Sequence, residues 1–401
     1  MDRKDLLPLI ENYHRKIAGI NLRFKRYLYS EINWDARIIC IRGARGVGKT
    51  TMLLQYILEN YKNIDDTLYV SLDDLWFADH SLIDLVDWAY KHGILRLFLD
   101  EVHRYPRWIE TLKNIYDSYP GMSIVYTGSS LLMLDHGRAD LSRRQTPYVL
   151  NGLSFREFLA YNDILHEKPL GLEEILENHV NTAMKISSEI KIISYFEEYL
   201  HHGYYPFYNE NPTDFIIRLR EMINVVLEND LPFVEKMNFE TIRKLKKLLM
   251  IISRNVPFEP KMTELWNQLS TSNEQGLKML YALDRAQILS LLATHIKNYK
   301  HLHKPDKIFL DNTNLMEALC PAVNKGTARE TFFNNQLSLK NDVIYPVKGD
   351  FLVDGRFLFE VGGKNKKFDQ IADIPDSFLA VDDTEVGYGN RIPLWLFGFL
   401  Y

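Results

Sequence analysis

The stretch RIICIRGARGVGKTTMLLQYIL, residues 37–58, decides the fold of the first part of the chain. Residues 37–42 are typical of a short buried strand, a glycine-rich loop follows, and a helical pattern begins at Thr51. The loop matches Gly-x4-Gly-Lys-Thr, and a strand before it with a helix after it is the context of a phosphate-binding P-loop. Backbone N–H groups of such a loop point at phosphate oxygens. The residues predicted to bind the nucleotide are Gly43, Ala44, Arg45, Gly46, Val47, Gly48, Lys49, Thr50 and Thr51.

Two side chains of this loop have predicted roles of their own. Lys49 would bridge the β- and γ-phosphates, and the hydroxyl of Thr50 would ligate magnesium. The alternative is a glycine-rich turn that binds nothing. The complete pattern in its proper context favours the phosphate site.

A second apolar run, residues 94–99, ends in two carboxylates. Asp100 would contact the metal, directly or through water, and Glu101 would be the general base for the attacking water. His103 and Arg104 follow and would position the site or lie at the surface. The alternative for the whole segment is an ordinary strand that ends in a solvated acidic turn.

A third strand, residues 123–126, leads into Thr127, which would orient the water or read the γ-phosphate. Its alternative is a plain Thr-Gly-Ser turn. Arginines before a further strand, residues 146–150, could stabilise transition-state charge in this subunit or across an interface, or form a solvated basic turn. These arginines are Arg138, Arg143 and Arg144.

The segments RGARGVGKTTMLLQ, LFLDEVHRYPRW, VYTGSSLLML and LSFREFL resemble a large family of prokaryotic AAA+ ATPases, in which a second conserved region follows the ATPase core. The resemblance runs from about Asn21 to the end of the chain. It implies an α/β fold whose five-stranded parallel sheet has an additional strand between the P-loop strand and the Asp-Glu strand. It also implies ATP and Mg²⁺ as ligands.

After the core, residues 171–198 have the spacing of an amphipathic helical pair and are predicted to begin a helical lid. Gly203 and Pro206 resemble a Gly-x-x-Pro turn that approaches the nucleotide base in related ATPases. The alternative is ordinary helix termination, since Gly followed by Pro is common there.

Residues 241–310 have the order helix, helix, turn, helix and strand pair, which predicts a winged helix. This segment holds twelve Lys and Arg against five Asp and Glu, although the whole chain has a net charge of -5. A basic winged helix could contact the phosphates of DNA. The alternative is a packing module that touches no nucleic acid.

The tail, from Lys325 on, predicts a helix, three strands, a helix and a strand, which resembles the restriction-endonuclease-like core. The hairpin VDGR would bring Asp350 close to Glu360, so that the two carboxylates could share a divalent metal. Such sites carry the motif Glu-x-Lys. In this chain the stretch reads FLFEVGGK, in which two glycines move the lysine further from the glutamate. The alternative is a retained fold without cleavage. The candidate residues of this site are Glu330, Asp350, Glu360 and Lys364, with Gln370 on the second helix.

A length of 401 residues predicts two to four structural units. Two isolated cysteines, Cys40 and Cys320, form neither a disulfide framework nor a zinc site. The sequence has no signal-like start and no apolar run near the about 18 residues of a membrane span, so a cytoplasmic protein is expected. The predicted segments are 1–20 (N-terminal helix), 21–165 (ATPase core), 166–238 (lid), 239–315 (winged helix) and 316–401 (nuclease-like tail).

These observations predict a magnesium-dependent ATPase that switches a lid, a winged helix and a nuclease-like tail. Two alternatives stay open. One is a metal-dependent DNA nuclease gated by ATP, and the other is a nucleotide-dependent signalling or protein-binding scaffold without cleavage. An arginine acting in trans would require a homo-oligomer or another protein partner.

Overall fold

The computed structural model describes residues 3–129, 141, 143–235, 237–294 and 302–401. Arg138, discussed above, lies outside these ranges, as do two lysines of the segment 241–310, Lys297 and Lys300. The chain forms two compact units, Met1–Asn151 and Gly152–Tyr401. Among the described helices, none combines the length and the apolar character needed to cross a membrane.

The first unit is built around a parallel sheet of five strands. Its helices are α1 (Arg3–Ala18), α2 (Leu28–Glu31), α3 (Lys49–Asn60), α4 (Leu82–Lys91) and α5 (Trp108–Ser118). Its strands are β1 (Ile38–Gly43), β2 (Thr67–Ser71), β3 (Arg96–Asp100), β4 (Ser123–Ser129) and β5 (Thr146–Val149).

The strand order of this sheet is β2-β3-β4-β1-β5, and every neighbouring pair is parallel. The prediction of a parallel sheet with an additional strand, β4, between the P-loop strand β1 and the Asp-Glu strand β3 is therefore confirmed. Strand β1 is buried at all six positions, as expected for an inner strand covered on both faces. Because the strands are parallel, the polar residues at their carboxyl ends meet at one edge of the sheet.

The second unit begins with helices. They are α6 (Phe155–Tyr161), α7 (Leu172–Glu189), α8 (Ile192–Glu198), α9 (Phe215–Val225), α10 (Leu231–Glu235), α11 (Phe239–Ser253), α12 (Met262–Leu269) and α13 (Asn273–Arg285). The predicted amphipathic pair in residues 171–198 is present as α7 and α8. Strands β6 (Leu289–Leu292) and β7 (Lys307–Leu310) then form an antiparallel pair, and Phe258 bridges to Ile308 beside it.

The rest of the second unit contains a mixed sheet. Helices α14 (Thr313–Leu319) and α15 (Lys325–Leu337) precede strands β8 (Val343–Ile344), β9 (Phe351–Val353), β10 (Phe357–Gly362), β11 (Ser377–Val381) and β12 (Arg391–Pro393). The order is β12-β11-β10-β9-β8. Strands β8, β9 and β10 are antiparallel, whereas β10, β11 and β12 are parallel. The side chains of α15 and of β9–β11 share one aromatic core, including Phe333, Phe359 and Phe397.

One predicted element of the tail is wrong. Residues 367–374, expected to form a helix that carries Gln370, form successive turns instead. Pro375 follows, and the position before a proline disfavours helical backbone. Ile371 is fully buried and packs with Leu358, Leu379 and Val381, and Phe368 and Ile374 of the same segment pack against this cluster.

Candidate functional site

The P-loop is shaped by two glycines with left-handed backbone and by one glycine in close contact with β5. Gly46 has φ 81° and Gly48 has φ 96°, conformations that L residues with a side chain rarely adopt. A Cβ on Gly43 would lie 2.1 Å from the carbonyl oxygen of Leu150. Helix α3 begins at Lys49 directly after Gly48, so the loop presents the N-terminus of a twelve-residue helix. This arrangement suits phosphate oxygens.

Lys49 is buried inside the loop. Its ammonium donates hydrogen bonds to the carbonyl oxygens of Gly43, at 2.9 Å, and of Ala44, at 2.8 Å. The same cation that is predicted to bind the phosphates therefore also holds the loop in its curved form.

Asp100 is the centre of the hydrogen-bond network at the carboxyl edge of the sheet, and it is buried. Its Oδ2 accepts from the hydroxyl of Thr50 at 2.6 Å and from the hydroxyl of Tyr69 at 2.8 Å. Its Oδ1 accepts from the hydroxyl of Thr127. Hydroxyl and carboxylate oxygens are the donors that Mg²⁺ prefers, so Thr50 and Asp100 fit the predicted metal.

Glu101 lies at the tip of β3 with φ 54°, an uncommon conformation for a residue with a side chain. Its backbone N–H donates to the hydroxyl of Thr127 at 3.1 Å, so Thr127 joins the two carboxylate residues. The Nδ1 atom of His103 lies 3.4 Å from the Glu101 carboxylate. Burial, assisted by Arg104, lowers the pKa of His103 to about 3, so this imidazole is neutral near pH 7.

The arginines differ in their surroundings. Arg144 forms an ion pair with Asp117 on α5, at 3.2 Å, and lies over the ring of Tyr116. Arg143 is exposed. Arg144 is therefore engaged within its own unit, and Arg143 is the more accessible of the two.

Gly203 and Pro206, predicted to form a lid turn, have a packing role in the second unit. Gly203 ends a π-helical turn, Tyr199–Gly203, and a Cβ there would lie 2.3 Å from the ring of Tyr199. Pro206 begins a short 3₁₀ helix, Pro206–Glu210. The close approach of the Tyr199 ring explains why position 203 is a glycine.

The tail brings Asp350 and Glu360 together. The turn at Asp354 and Gly355, both with positive φ, sets the register of β9 and β10, in which Phe351 faces Phe359. The next cross-strand position therefore pairs Asp350 with Glu360 on one face of the sheet. The N–H of Val361 donates to Asp350 Oδ2 at 2.8 Å. Glu360 is 1% exposed, and neither carboxylate oxygen accepts a hydrogen bond within the described residues.

The lysine beside Glu360 is Lys366, not the expected Lys364. The Lys366 ammonium lies 3.3 Å from Glu360 Oε2. A Cβ on Gly362 would lie 2.7 Å from the Lys366 side chain, so the absence of a side chain at Gly362 leaves room for that lysine. The carbonyl oxygen of Lys364 accepts a hydrogen bond from Arg391 at 2.9 Å.

Glu330 is placed near these residues but already has a cationic partner. Its carboxylate accepts a hydrogen bond from Lys307 of β7. Burial raises the pKa of Glu330, Lys307 opposes that rise, and Asp350 adds to it. Within the described ranges, no group of three or more His, Cys, Asp or Glu side chains could hold a metal ion. The full metal cluster expected from the sequence is therefore not assembled by these carboxylates.

The basic excess of residues 241–310 is largely compensated. Six of the ten described Lys and Arg of this segment pair with glutamates. Four of those glutamates lie outside residues 241–310, so a charge count of the segment alone omits them. The pairs are Lys244–Glu240, Lys246–Glu228, Lys261–Glu264, Lys278–Glu274, Arg285–Glu235 and Lys307–Glu330.

The site also contains a residue that the sequence did not indicate. Tyr69 reaches Asp100 from β2, a strand that carries no recognised motif. The signal that could have identified Tyr69 is its position opposite Phe98 in the pairing of β2 with β3. That pairing can be used only when the order of the strands in the sheet is known.

A comparison with known protein families agrees with this description of the first unit. The family model of the AAA domain matches residues 35–159. A Walker-type ATPase of Pyrococcus abyssi, PABY2304, has a similar structure, with 13% identity and a TM-score of 0.40, over 74% of this chain and 95% of that chain. A katanin structure, determined in work on self-assembly, has 15% identity and a TM-score of 0.26, over 43% of this chain and 61% of that chain. At these scores neither structure bears on function.

No curated protein sequence matches the chain. The complete loop pattern, the strand order with β4 between β1 and β3, and the family match nevertheless agree with one another. The first unit therefore has the loop and the strand order of a P-loop domain, and it contains most of the residues that match the family model of the AAA domain.

Proposed function

We propose that this protein binds ATP with Mg²⁺ through its first unit and hydrolyses it. The observation that carries the proposal is the hydrogen bond of 2.6 Å between Thr50 of the P-loop and Asp100 of β3. It joins the predicted phosphate loop to the predicted metal-binding carboxylate, two segments that are fifty residues apart in sequence.

Each residue of the site has a distinct task in this proposal. Lys49, already directed into the loop, would exchange its carbonyl partners for phosphate oxygens. Glu101 would accept the proton of the attacking water. Thr127 would hold Asp100 and Glu101 in a fixed relation through its hydroxyl. When bound, Mg²⁺ neutralises charge on the β- and γ-phosphates.

The test separates binding from hydrolysis. Lys49→Ala should abolish binding of a fluorescent ATP analogue, because the phosphates lose their cation. Glu101→Gln should bind the analogue and release phosphate at least about a hundredfold more slowly than the wild type. Lys62→Ala, which changes an exposed lysine after α3, is the matched control and should behave as wild type. Undiminished turnover in Lys49→Ala would refute the proposal.

We propose the second unit as the part that responds to the nucleotide. Residues 166–238 would be a helical lid, 239–315 a winged helix and 316–401 a nuclease-like tail. The order α11, α12, α13, β6, β7 supports the winged helix, because three helices followed by a strand pair are its defining elements. The compensated charges of this segment favour a packing role over extensive phosphate contact.

A second candidate function is cleavage of a DNA phosphodiester by the tail. The observation in its favour is that Glu360, Asp350 and Lys366 lie together around Gly362, which supplies two carboxylates and a cation. Against it, the described residues lack a three-carboxylate metal cluster. In this candidate Lys366 would stabilise charge on the phosphodiester, and the carboxylates would orient the attacking water.

The experiment for this second candidate uses the two lysines. The protein is incubated with Mg²⁺ or Mn²⁺ and with single-stranded, duplex and branched DNA. Cleavage that is lost in Glu360→Ala and Lys366→Ala, but kept in the matched variant Lys364→Ala, would support the assignment. Absence of cleavage by the wild type on all substrates would refute it and leave the ATPase proposal untouched.

A further inference from the structure

We infer that Tyr69 positions Asp100 for the metal-nucleotide complex, and that helix α1 holds Tyr69 for this task. The inference rests on the proposed ATP site and adds to it a residue and an element outside the P-loop and the Asp-Glu strand. Tyr69 is a positioning residue, since its contacts are with Asp100 and with α1.

The first observation is the geometry at Asp100. Tyr69 is 2% exposed, and its hydroxyl donates to Asp100 Oδ2 at 2.8 Å. The same oxygen accepts from Thr50, the predicted magnesium ligand, at 2.6 Å. With Thr127 on the other oxygen, three hydroxyl groups from three different segments fix both oxygens of this carboxylate. Such charge-assisted hydrogen bonds are the stronger ones in proteins.

The second observation is the direction of the Tyr69 hydrogen. The ammonium of Lys16, on α1, donates to the Tyr69 oxygen at 3.3 Å. An ammonium can only donate, so the hydrogen of the Tyr69 hydroxyl remains directed at Asp100.

The third observation is that α1 is anchored beside Tyr69. The ring of Tyr13 stacks on the ring of Tyr69 with centroids 6.0 Å apart, and its hydroxyl lies 2.7 Å from the hydroxyl of Thr67 on β2. Leu6 and Leu9 of the same helix are buried in the core of the sheet. Helix α1 is therefore fixed against β2. It places Lys16 on one side of the Tyr69 hydroxyl, and Asp100 lies on the other side.

The consequence is a specific dependence on magnesium. Loss of the Tyr69 hydroxyl would leave Asp100 with fewer donors and a less defined orientation toward Thr50. Binding of ATP without metal depends on the loop and Lys49, which this change does not touch. Binding of ATP with Mg²⁺ depends also on Thr50 and Asp100, so the two forms of the ligand should respond differently.

The experiment measures binding of a fluorescent ATP analogue in EDTA and across a Mg²⁺ titration. Tyr69→Phe should need about tenfold more Mg²⁺ for half-maximal enhancement of binding, with EDTA binding unchanged, because one hydrogen bond to a charged group is lost. Lys16→Met should shift the titration in the same direction by about two- to threefold. Tyr90→Phe, which removes a hydroxyl of the same unit that donates to the carbonyl oxygen of Pro120, is the matched control and should titrate as wild type.

The outcomes are distinguishable. If wild type binds no analogue under any condition, the proposed ATP site is wrong and the inference falls with it. If wild type binds and Tyr69→Phe titrates identically, the inference alone is overturned. Thermal unfolding of each variant reports folding, and Lys16→Met, which changes a partly buried surface residue, decides the question if Tyr69→Phe does not fold. An equal shift in Tyr90→Phe would also overturn the specific role of Tyr69.

Discussion

The ammonium of Lys366 lies 3.3 Å from the carboxylate of Glu360, and its side chain passes over Gly362. In strand β10, Gly362 follows Glu360 by two positions and shares its face. A lysine delivered from the following loop therefore occupies the space that a lysine in Glu-x-Lys would reach from the strand itself. This places a buried carboxylate and a cation together, although the sequence separates them by a Gly-Gly break.

The Glu360–Lys366 pair should contribute to the stability of the second unit. Lys366→Met should destabilise it by about 1–2 kcal/mol, since it leaves a buried carboxylate without its cation, while Lys366 itself is partly exposed and screened. Glu360→Gln in the same chain should restore part of the loss. Urea unfolding of both single variants and the double variant measures the coupling, and Lys364→Met is the control. Additive effects of the two changes would show that the pair has no energetic coupling.

Thr127→Val should slow ATP hydrolysis about a hundredfold and leave nucleotide binding nearly unchanged. The valine fills the same volume but cannot bond to Asp100 Oδ1 or accept from the N–H of Glu101. Phosphate release and analogue binding are measured side by side. Thr111→Val, at a partly buried position on α5, is the control. A matched loss of binding and turnover would instead point to a general disturbance of the site.

His103 should make the first unit sensitive to acid. Its pKa in the folded protein is lowered to about 3, whereas its ordinary value is 6.5, so the unfolded chain binds a proton that the folded chain does not. Stability from this residue is complete above pH 6.5 and is lost as the pH falls toward 3, at up to about 1.4 kcal/mol per pH unit. Between pH 7.5 and 5, wild type should therefore lose about 2 kcal/mol more than His103→Gln. Denaturant unfolding at both pH values checks this, and equal losses in the two proteins would contradict it.

Gly43→Ala should prevent stable folding of the first unit or shift its unfolding temperature strongly downward. The added Cβ would lie 2.1 Å from a backbone oxygen of Leu150, and a backbone contact cannot be relieved by rotating a side chain. The comparison is Gly19→Ala, where the nearest atom lies at 3.7 Å. Thermal unfolding followed by circular dichroism measures both. A Gly43→Ala protein as stable as the Gly19→Ala protein would show that β1 and β5 can separate at this point.

Much of the first unit was predictable because its signals are local. Gly43 to Thr50 occupy one strand-loop-helix segment, and Asp100 and Glu101 follow one apolar strand directly, so spacing alone identifies them. The parallel sheet and the place of β4 between β1 and β3 were predicted by family resemblance and are confirmed by the strand order. The roles of these residues in ATP hydrolysis stay predictions.

Other features could not be predicted because they depend on contacts between distant segments. Three glutamates that pair with basic residues of 241–310, namely Glu228, Glu235 and Glu330, lie outside that segment, and only the fold brings them near. The helix expected at residues 367–374 is replaced by turns because Ile371 is drawn into the core beneath β10 and β11.

The sequence by itself determined the phosphate loop, the carboxylate pair at the end of β3 and the pairing of Asp350 with Glu360, because each follows from spacing within a strand, a turn or a helix end. The tertiary structure alone decided that Tyr69 reaches Asp100, that α1 reaches Tyr69, and that Lys366 rather than Lys364 meets Glu360. The physical reason is the same in each case. The order of the strands determines which distant side chains can reach a buried charge, and so does the space left beside a residue such as Gly362. Neither the strand order nor that space can be deduced from the spacing of residues within one segment.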